Sequence, residues 1–253
     1  MNRFRWICRR VLPLVGLLVL LAISNVDQHR KTEENIMSGT FEETILPPDI
    51  LQSAVRIIEA TSPEDKINSL CTGIAIGPRK IVTAAHCVTS EKSDARYWLL
   101  TGVGSPSHVG TGGEINLSIL ELESDQVQEI RGFHIRQDLD IALVNTDFEL
   151  PSWVRIQEES GLTNGELFQM VGFGEFEGSV GLRRNFSTKL VHSEIPYLWT
   201  ARPDRGACLG DSGGGLFQTR EGETSLVGVL TAGHRNCVGA ERYVEPGVVR
   251  GWR

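Results

Sequence analysis

The chain is 253 residues long, 40% hydrophobic, and carries a formal net charge of −7. That is enough apolar material for one sizeable core. The acidic balance, with no run of Lys and Arg, excludes an electrostatic case for nucleic-acid binding.

Residues 1–24 begin basic, with Arg3, Arg5, Arg9 and Arg10, and continue as an apolar run from Val11 to Ile23. The run is shorter than the ~20 residues a membrane-spanning helix needs. Ala22-Ile23-Ser24 offers small residues for cleavage, so the segment reads as a signal peptide of a secreted or periplasmic protein. If retained, with Phe4, Trp6 and Ile7 extending its apolar character, it would anchor the chain instead. A membrane enters only in that case. Cleavage removes four arginines and no acids and leaves a net charge of −11. Residues 25–35 are polar and charged.

Short strand-like runs then recur between turn signals: Ala54–Ile58, Gly73–Ile76, Lys80–Thr83, Ile141–Val144, Gln169–Phe173 and Leu226–Leu230. This spacing, without a long helical period or an internal repeat, predicts an all-β sandwich or barrel. Gly102–Gly113 is rich in Gly and Ser and reads as a surface loop. Glu121, Glu123, Asp125 and Glu129 read as a solvated face; a calcium loop is the alternative, without regular ligand spacing. Asn116-Leu117-Ser118 and Asn185-Phe186-Ser187 fit the glycosylation sequon, which counts only in a eukaryotic host. Of the five cysteines, Cys8 falls in the targeting segment, and the other four allow three pairings. Export favours disulfides over free thiols.

Three segments carry chemistry. They are Thr83-Ala84-Ala85-His86-Cys87, then Asp138-Leu139-Asp140-Ile141-Ala142-Leu143-Val144, then Cys208-Leu209-Gly210-Asp211-Ser212-Gly213-Gly214-Gly215. A serine hydroxyl is a poor nucleophile and needs a base within hydrogen-bond reach. An imidazole titrates near neutrality and suits that task. A carboxylate behind the ring holds its tautomer, and backbone N–H groups on a glycine turn can hold a developing oxyanion. Gly210-Asp211-Ser212-Gly213-Gly214 also fits the nucleophile elbow of α/β-hydrolases. That fold needs an acid and then a histidine after the serine. Only His234 follows, 22 residues on, which leaves too little chain for the rest of such a sheet.

In these motifs and their order, the chain from about residue 36 to its end resembles the chymotrypsin/trypsin family of serine endopeptidases. The short chain with few disulfides looks like a bacterial secreted member. The resemblance implies two antiparallel six-stranded β-barrels, 36–148 and 149–253. The triad would be His86, Asp140 and Ser212, with Asp140 preferred to Asp138 because it directly precedes the Ile-Ala-Leu strand. The oxyanion hole would be the N–H groups of Gly210 and Ser212. The disulfides would be Cys71–Cys87 and Cys208–Cys237. Gln169–Gly174 resembles the family's Gly-Trp-Gly segment, with Phe173 in place of Trp. Residues 25–35 resemble a propeptide, and Ile36-Met37-Ser38-Gly39-Thr40 resembles a mature start. There a freed Ile36 ammonium would pair with Asp211. Asn35 before that cut does not imply a trypsin-like activating protease.

The same resemblance places the primary pocket at Gly206 and Ala207, with the wall Thr231-Ala232-Gly233 and a second position at Gly247. None is charged, which implies cleavage after apolar residues. Arg205, His234 and Arg235 nearby suggest the competing preference for acidic residues. Family members continue through a C-terminal helix, which here is expected to be largely missing, since six residues follow Gly247. The implied protein is a monomer acting on polypeptides through an acyl-enzyme, without metal or organic cofactor. The other functional classes are a non-catalytic binding member of the fold and an esterase or acyltransferase using the same triad.

Overall fold

The computed structural model describes residues 46–104, 107–108, 118–119, 125–157, 161–177, 179–234 and 236–252. The expected signal peptide (1–24), the expected propeptide (25–35), Ile36, Asn116, Glu121, Glu123 and Arg235 lie outside the described residues. A short helix α1 (Pro48–Gln52) leads in, with proline at its first turn where no N–H is missed. Strands follow: β1 (Ala54–Ala60), β2 (Ser69–Gly77), β3 (Lys80–Ala84), β4 (Arg96–Leu100), β5 (Ser107–His108), β6 (Val127–Ile130), β7 (Gly132–Arg136) and β8 (Ile141–Asn145). The second half holds β9 (Leu167–Gly172), β10 (Ser179–Val180), β11 (Arg184–Glu194), β12 (Tyr197–Arg202), β13 (Gly215–Arg220), β14 (Glu223–Ala232) and β15 (Gly239–Val244). The β-branched runs Ala54–Ile58 and Ile141–Val144 are buried along their whole length. Fully buried strands read as continuous apolar stretches rather than alternating ones.

The first half forms one antiparallel sheet in the order β6-β4-β1-β2-β3-β8-β7. Its two edge strands, β6 and β7, are separated in sequence only by Arg131. One residue cannot bridge the width of a flat sheet, so the sheet curls until its edges meet. Counted as one bent strand, β6 and β7 bring this half to six strands. The second half is a closed barrel in the order β11-β12-β15-β14-β13-β9, with β9 returning to β11 at Val171↔Asn185. Closure removes free edges.

Three cores follow from this. One fills the first sheet, with Ile57, Ile81, Leu99 and Val144. One fills the barrel, with Phe168, Leu190, Leu216 and Tyr243. The third lies between the halves, with Ile58, Leu70, Val82, Val171, Phe173 and Val229. Each fully buried Leu, Ile or Phe contributes roughly 1.5–3 kcal/mol. The described residues from Leu46 onward belong to one compact unit, so the two halves share that middle core. After β15 the chain makes a 3-10 turn at Pro246–Val249, and Val248, Val249 and Trp252 pack on the middle core. The Trp252 carbonyl accepts a bond from Lys80 Nζ at 3.4 Å. No α-helix follows β15 among the described residues.

Candidate active site

His86 sits in a 3-10 turn, Ala85–Cys87, at the end of β3. The Cys71–Cys87 disulfide ties this turn to β2. Asp140 closes the turn between β7 and β8 with φ +55°, a left-handed conformation that costs a non-glycine residue about 1 kcal/mol or more. Three bonds hold it there. Its carbonyl accepts the Ala85 N–H at 3.0 Å, its Oδ1 accepts the His86 N–H at 3.0 Å, and its Oδ2 lies 2.8 Å from His86 Nδ1. A carboxylate only accepts, so Nδ1 carries a proton and, in the neutral ring, Nε2 is the free acceptor. The imidazole is partly open, with 46% of the side chain exposed. Asp138, two residues away, turns outward and is gripped by the Arg136 guanidinium. That bond holds its carboxyl below the usual range.

Ser212 lies in the loop between β12 and β13. The loop is pinned from the first half by Thr72 on β2, which is fully buried. The Thr72 N–H donates to the Ser212 carbonyl at 2.8 Å, and its hydroxyl donates to the Gly210 carbonyl at 2.9 Å. The same hydroxyl accepts the Phe173 N–H at 3.0 Å, while Thr83 donates to the Thr72 carbonyl at 2.7 Å. The Ser212 carbonyl also lies 3.6 Å from Cys87 Sγ, beside His86. The serine and histidine loops therefore meet at the seam of the two halves. No hydrogen bond joins the Ser212 hydroxyl to the imidazole. Gly210 has φ +97°, a region open mainly to glycine. The N–H groups of Gly210 and Ser212 have no acceptor among the described residues. The Cys208–Cys237 disulfide closes the loop's other side.

Asp211 points inward and is 7% exposed. Its oxygens accept the Gly174 N–H at 2.7 Å and the Cys208 N–H at 2.9 Å. Gly172 and Gly174 make room for it, because a Cβ on either would lie 2.1 Å from a carboxylate oxygen. Burial pushes the carboxyl up to about 6, although both N–H bonds and the more distant Arg184 oppose the rise. No cation among the described residues stands within ion-pair reach of it. Beside it opens a cavity of about 490 Å³, lined in part by Gly174, Phe176, Arg184 and Gly206.

The expected pocket residues come together in part. Ala207 is buried against Gly233, where a Cβ would lie 3.1 Å from the Ala207 carbonyl oxygen. Thr231 is buried, and Ala232 and Gly233 are exposed. Gly247 does not join them. It sits in the turn beyond β15, with no atom within 4 Å of the position of a Cβ. The reason is register: Gly239–Val244, not the Pro-Gly-Val segment, forms the strand paired with β12 and β14. The residue brought under Gly206 is Glu241, 2.9 Å from the position of a Cβ. On the rim, His234 is exposed and contacts Asn236, and the Arg205 guanidinium lies 5.7 Å from the Phe176 ring centroid. Sequence reasoning missed Thr72 and Glu241, because neither belongs to a spaced motif. Among the described residues, Cys71, His86 and Cys87 have donor atoms close enough for a metal, but both sulfurs are spent in the disulfide.

A closed barrel beside a curled six-strand sheet, with a histidine-carboxylate pair facing a serine loop across the seam, defines the chymotrypsin-like class of β proteins. The family model described as Trypsin matches residues 56–250, and the chain belongs to that family. It is a serine endopeptidase, and its substrates are polypeptides. Its two disulfides suit an oxidising, extracellular setting. No helix of the described residues is long and apolar enough to cross a membrane.

Proposed function

We propose that Ser212 is the nucleophile, His86 the general base and Asp140 the carboxylate that orients it. The carrying observation is the two-point grip of Asp140 on His86, ring and backbone together. With Nδ1–H fixed on Asp140, Nε2 takes the Ser212 proton as Oγ attacks the substrate carbonyl. The N–H groups of Gly210 and Ser212 receive the oxyanion. His86 then protonates the leaving amine, and water resolves the acyl-enzyme by the same proton route. This chemistry calls on no metal or organic cofactor.

The described form is read as a precursor. Among the described residues no cation pairs with the Asp211 carboxyl, a cavity opens beside it, and no hydrogen bond joins Ser212 to His86. The signal peptide would direct export and be removed after residue 24, and a cut before Ile36 by another protease would free an ammonium for Asp211. Pairing the carboxylate would remove the cost of its burial and reorder Gly210–Ser212. The pocket positions Gly206, Ala207, Thr231, Ala232 and Gly233 carry no charge of their own, which supports cleavage after apolar residues.

The test is fluorophosphonate labelling of exported protein before and after processing, beside Ser212→Ala, with N-terminal sequencing of the active form. Labelling of processed wild type alone is expected. A folded, processed protein that resists the probe would overturn the triad assignment, and a stable active form starting elsewhere than Ile36 would overturn the activation site.

A further inference from the structure

β15 carries a carboxylate that the sequence motifs leave unused. Glu241 is 2% exposed. Its Oε2 accepts bonds from Thr200 Oγ1 at 3.1 Å and from the Tyr243 hydroxyl at 2.6 Å, and its Oε1 accepts the Ala207 N–H. Two carboxylate oxygens offer about four acceptor sites. Three are filled, and the remaining one belongs to Oε1. That is the oxygen lying 2.9 Å from where a Gly206 side chain would start. Glycine at 206 thus leaves no side chain between the base of the proposed pocket and the open site on Glu241.

We propose that Glu241 is a specificity-determining residue that gives the primary pocket a second preference, for lysine or arginine before the scissile bond. The proposal rests on the endopeptidase reading above and goes beyond its apolar specificity. A cationic head that enters past Gly206 meets Oε1 in a low-dielectric site, where an ion pair counts for far more than at the surface. An apolar side chain fills the same slot without needing it.

The charge on Glu241 turns over near neutral pH. Burial pushes its carboxyl up to about 7, opposed by the bonds from Tyr243, Ala207 and Thr200 and assisted by the Asp211 charge. Its titratable neighbours are Tyr243 on the same strand, whose phenol is held well above its ordinary value by burial, and Asp211 in the serine loop. The nearby cations are engaged elsewhere: Arg205 lies over the Phe176 ring, and Arg242 over the Tyr197 ring while bonding Thr231. Below neutrality Glu241 is protonated and the pocket is neutral. Above it the carboxylate is charged and a lysine or arginine finds its partner.

The test is cleavage of a peptide set varied before the scissile bond, by processed wild type and Glu241→Gln, each first shown to label with fluorophosphonate. The ratio of Lys/Arg to Leu cleavage cancels the titration of the shared catalytic groups. In wild type that ratio is expected to rise at least about ten-fold between about pH 5.5 and about pH 8.5, and in Glu241→Gln to stay low and flat. Labelled wild type that cleaves only after apolar residues at the higher pH, or a variant that keeps the wild-type ratio, overturns the role of Glu241 and leaves the endopeptidase reading standing. Wild type that does not label overturns that reading and this inference with it. If the variant fails to fold, inhibition of wild type by benzamidinium decides. Binding at least about ten-fold tighter at the higher pH supports the proposal, and pH-independent inhibition refutes it.

Discussion

Asp211→Asn removes the charge of a buried carboxyl and keeps its shape, so its effect can be worked from the structure. Burial raises the Asp211 carboxyl from 3.8 to about 6 in this form. A shift of about two units corresponds to about 3 kcal/mol. The folded protein binds this proton more tightly than the unfolded chain does. The stabilising contribution is therefore complete below about pH 4 and is lost as pH rises through about 6. Asparagine does not titrate there, but it gives up one of the two accepted N–H bonds, from Gly174 or Cys208, at about 1–3 kcal/mol. Unprocessed Asp211→Asn should be less stable than the parent near pH 4. Relative to the parent it should gain about 3 kcal/mol by about pH 8. Urea unfolding followed by tryptophan fluorescence, with disulfides intact and Ser212→Ala in both proteins to prevent autolysis, measures this. The surface carboxylates are common to both and cancel in the difference, and Glu241, whose carboxyl the Asp211 charge raises, is replaced by Gln in both proteins. A stability difference that is the same at both pH values would refute the view that Asp211 is buried without a cation. Processing should reverse the sign, because an ammonium pairs with the carboxylate and not with the amide.

Thr72→Val keeps the shape of the keystone on β2 but strips the hydroxyl from the Gly210 carbonyl and the Phe173 N–H. Two buried groups lose their partner, so a loss of about 2–4 kcal/mol in urea unfolding is expected, with Thr72→Ser recovering most of it. Asp140→Asn should slow fluorophosphonate labelling of the processed enzyme by about 10³-fold or more, because the ring loses its tautomer control. Asp138→Asn should change labelling by less than about two-fold, since its partner is a surface arginine.

Much of the site was legible as text. The histidine and serine stand in short segments whose neighbours constrain them, and the structure places both at one seam. The strand-like runs at 54–58, 80–83, 141–144 and 226–230 fall within β1, β3, β8 and β14. The preference for Asp140 over Asp138 came from the family pattern, Asp140 directly preceding the strand, and the structure puts the Asp140 carboxylate on His86 with a positive φ while Asp138 meets Arg136. The Pro-Gly-Val segment was misleading, because register in β15 is set by pairing with β12 and β14, not by a local triplet.

The sequence by itself determined the strand-rich character, the nucleophile and base candidates, and cysteines able to form two disulfides. Those depend on residue type and near neighbours, which a linear reading carries. Tertiary structure alone decided that the first sheet curls with β6 and β7 at its two ends, that Thr72 pins the serine loop, and that Glu241 lies under Gly206. Each of these is a contact between residues far apart in the chain, made when side chains are buried together and must find hydrogen-bond partners there. No local spacing encodes which distant group will be that partner.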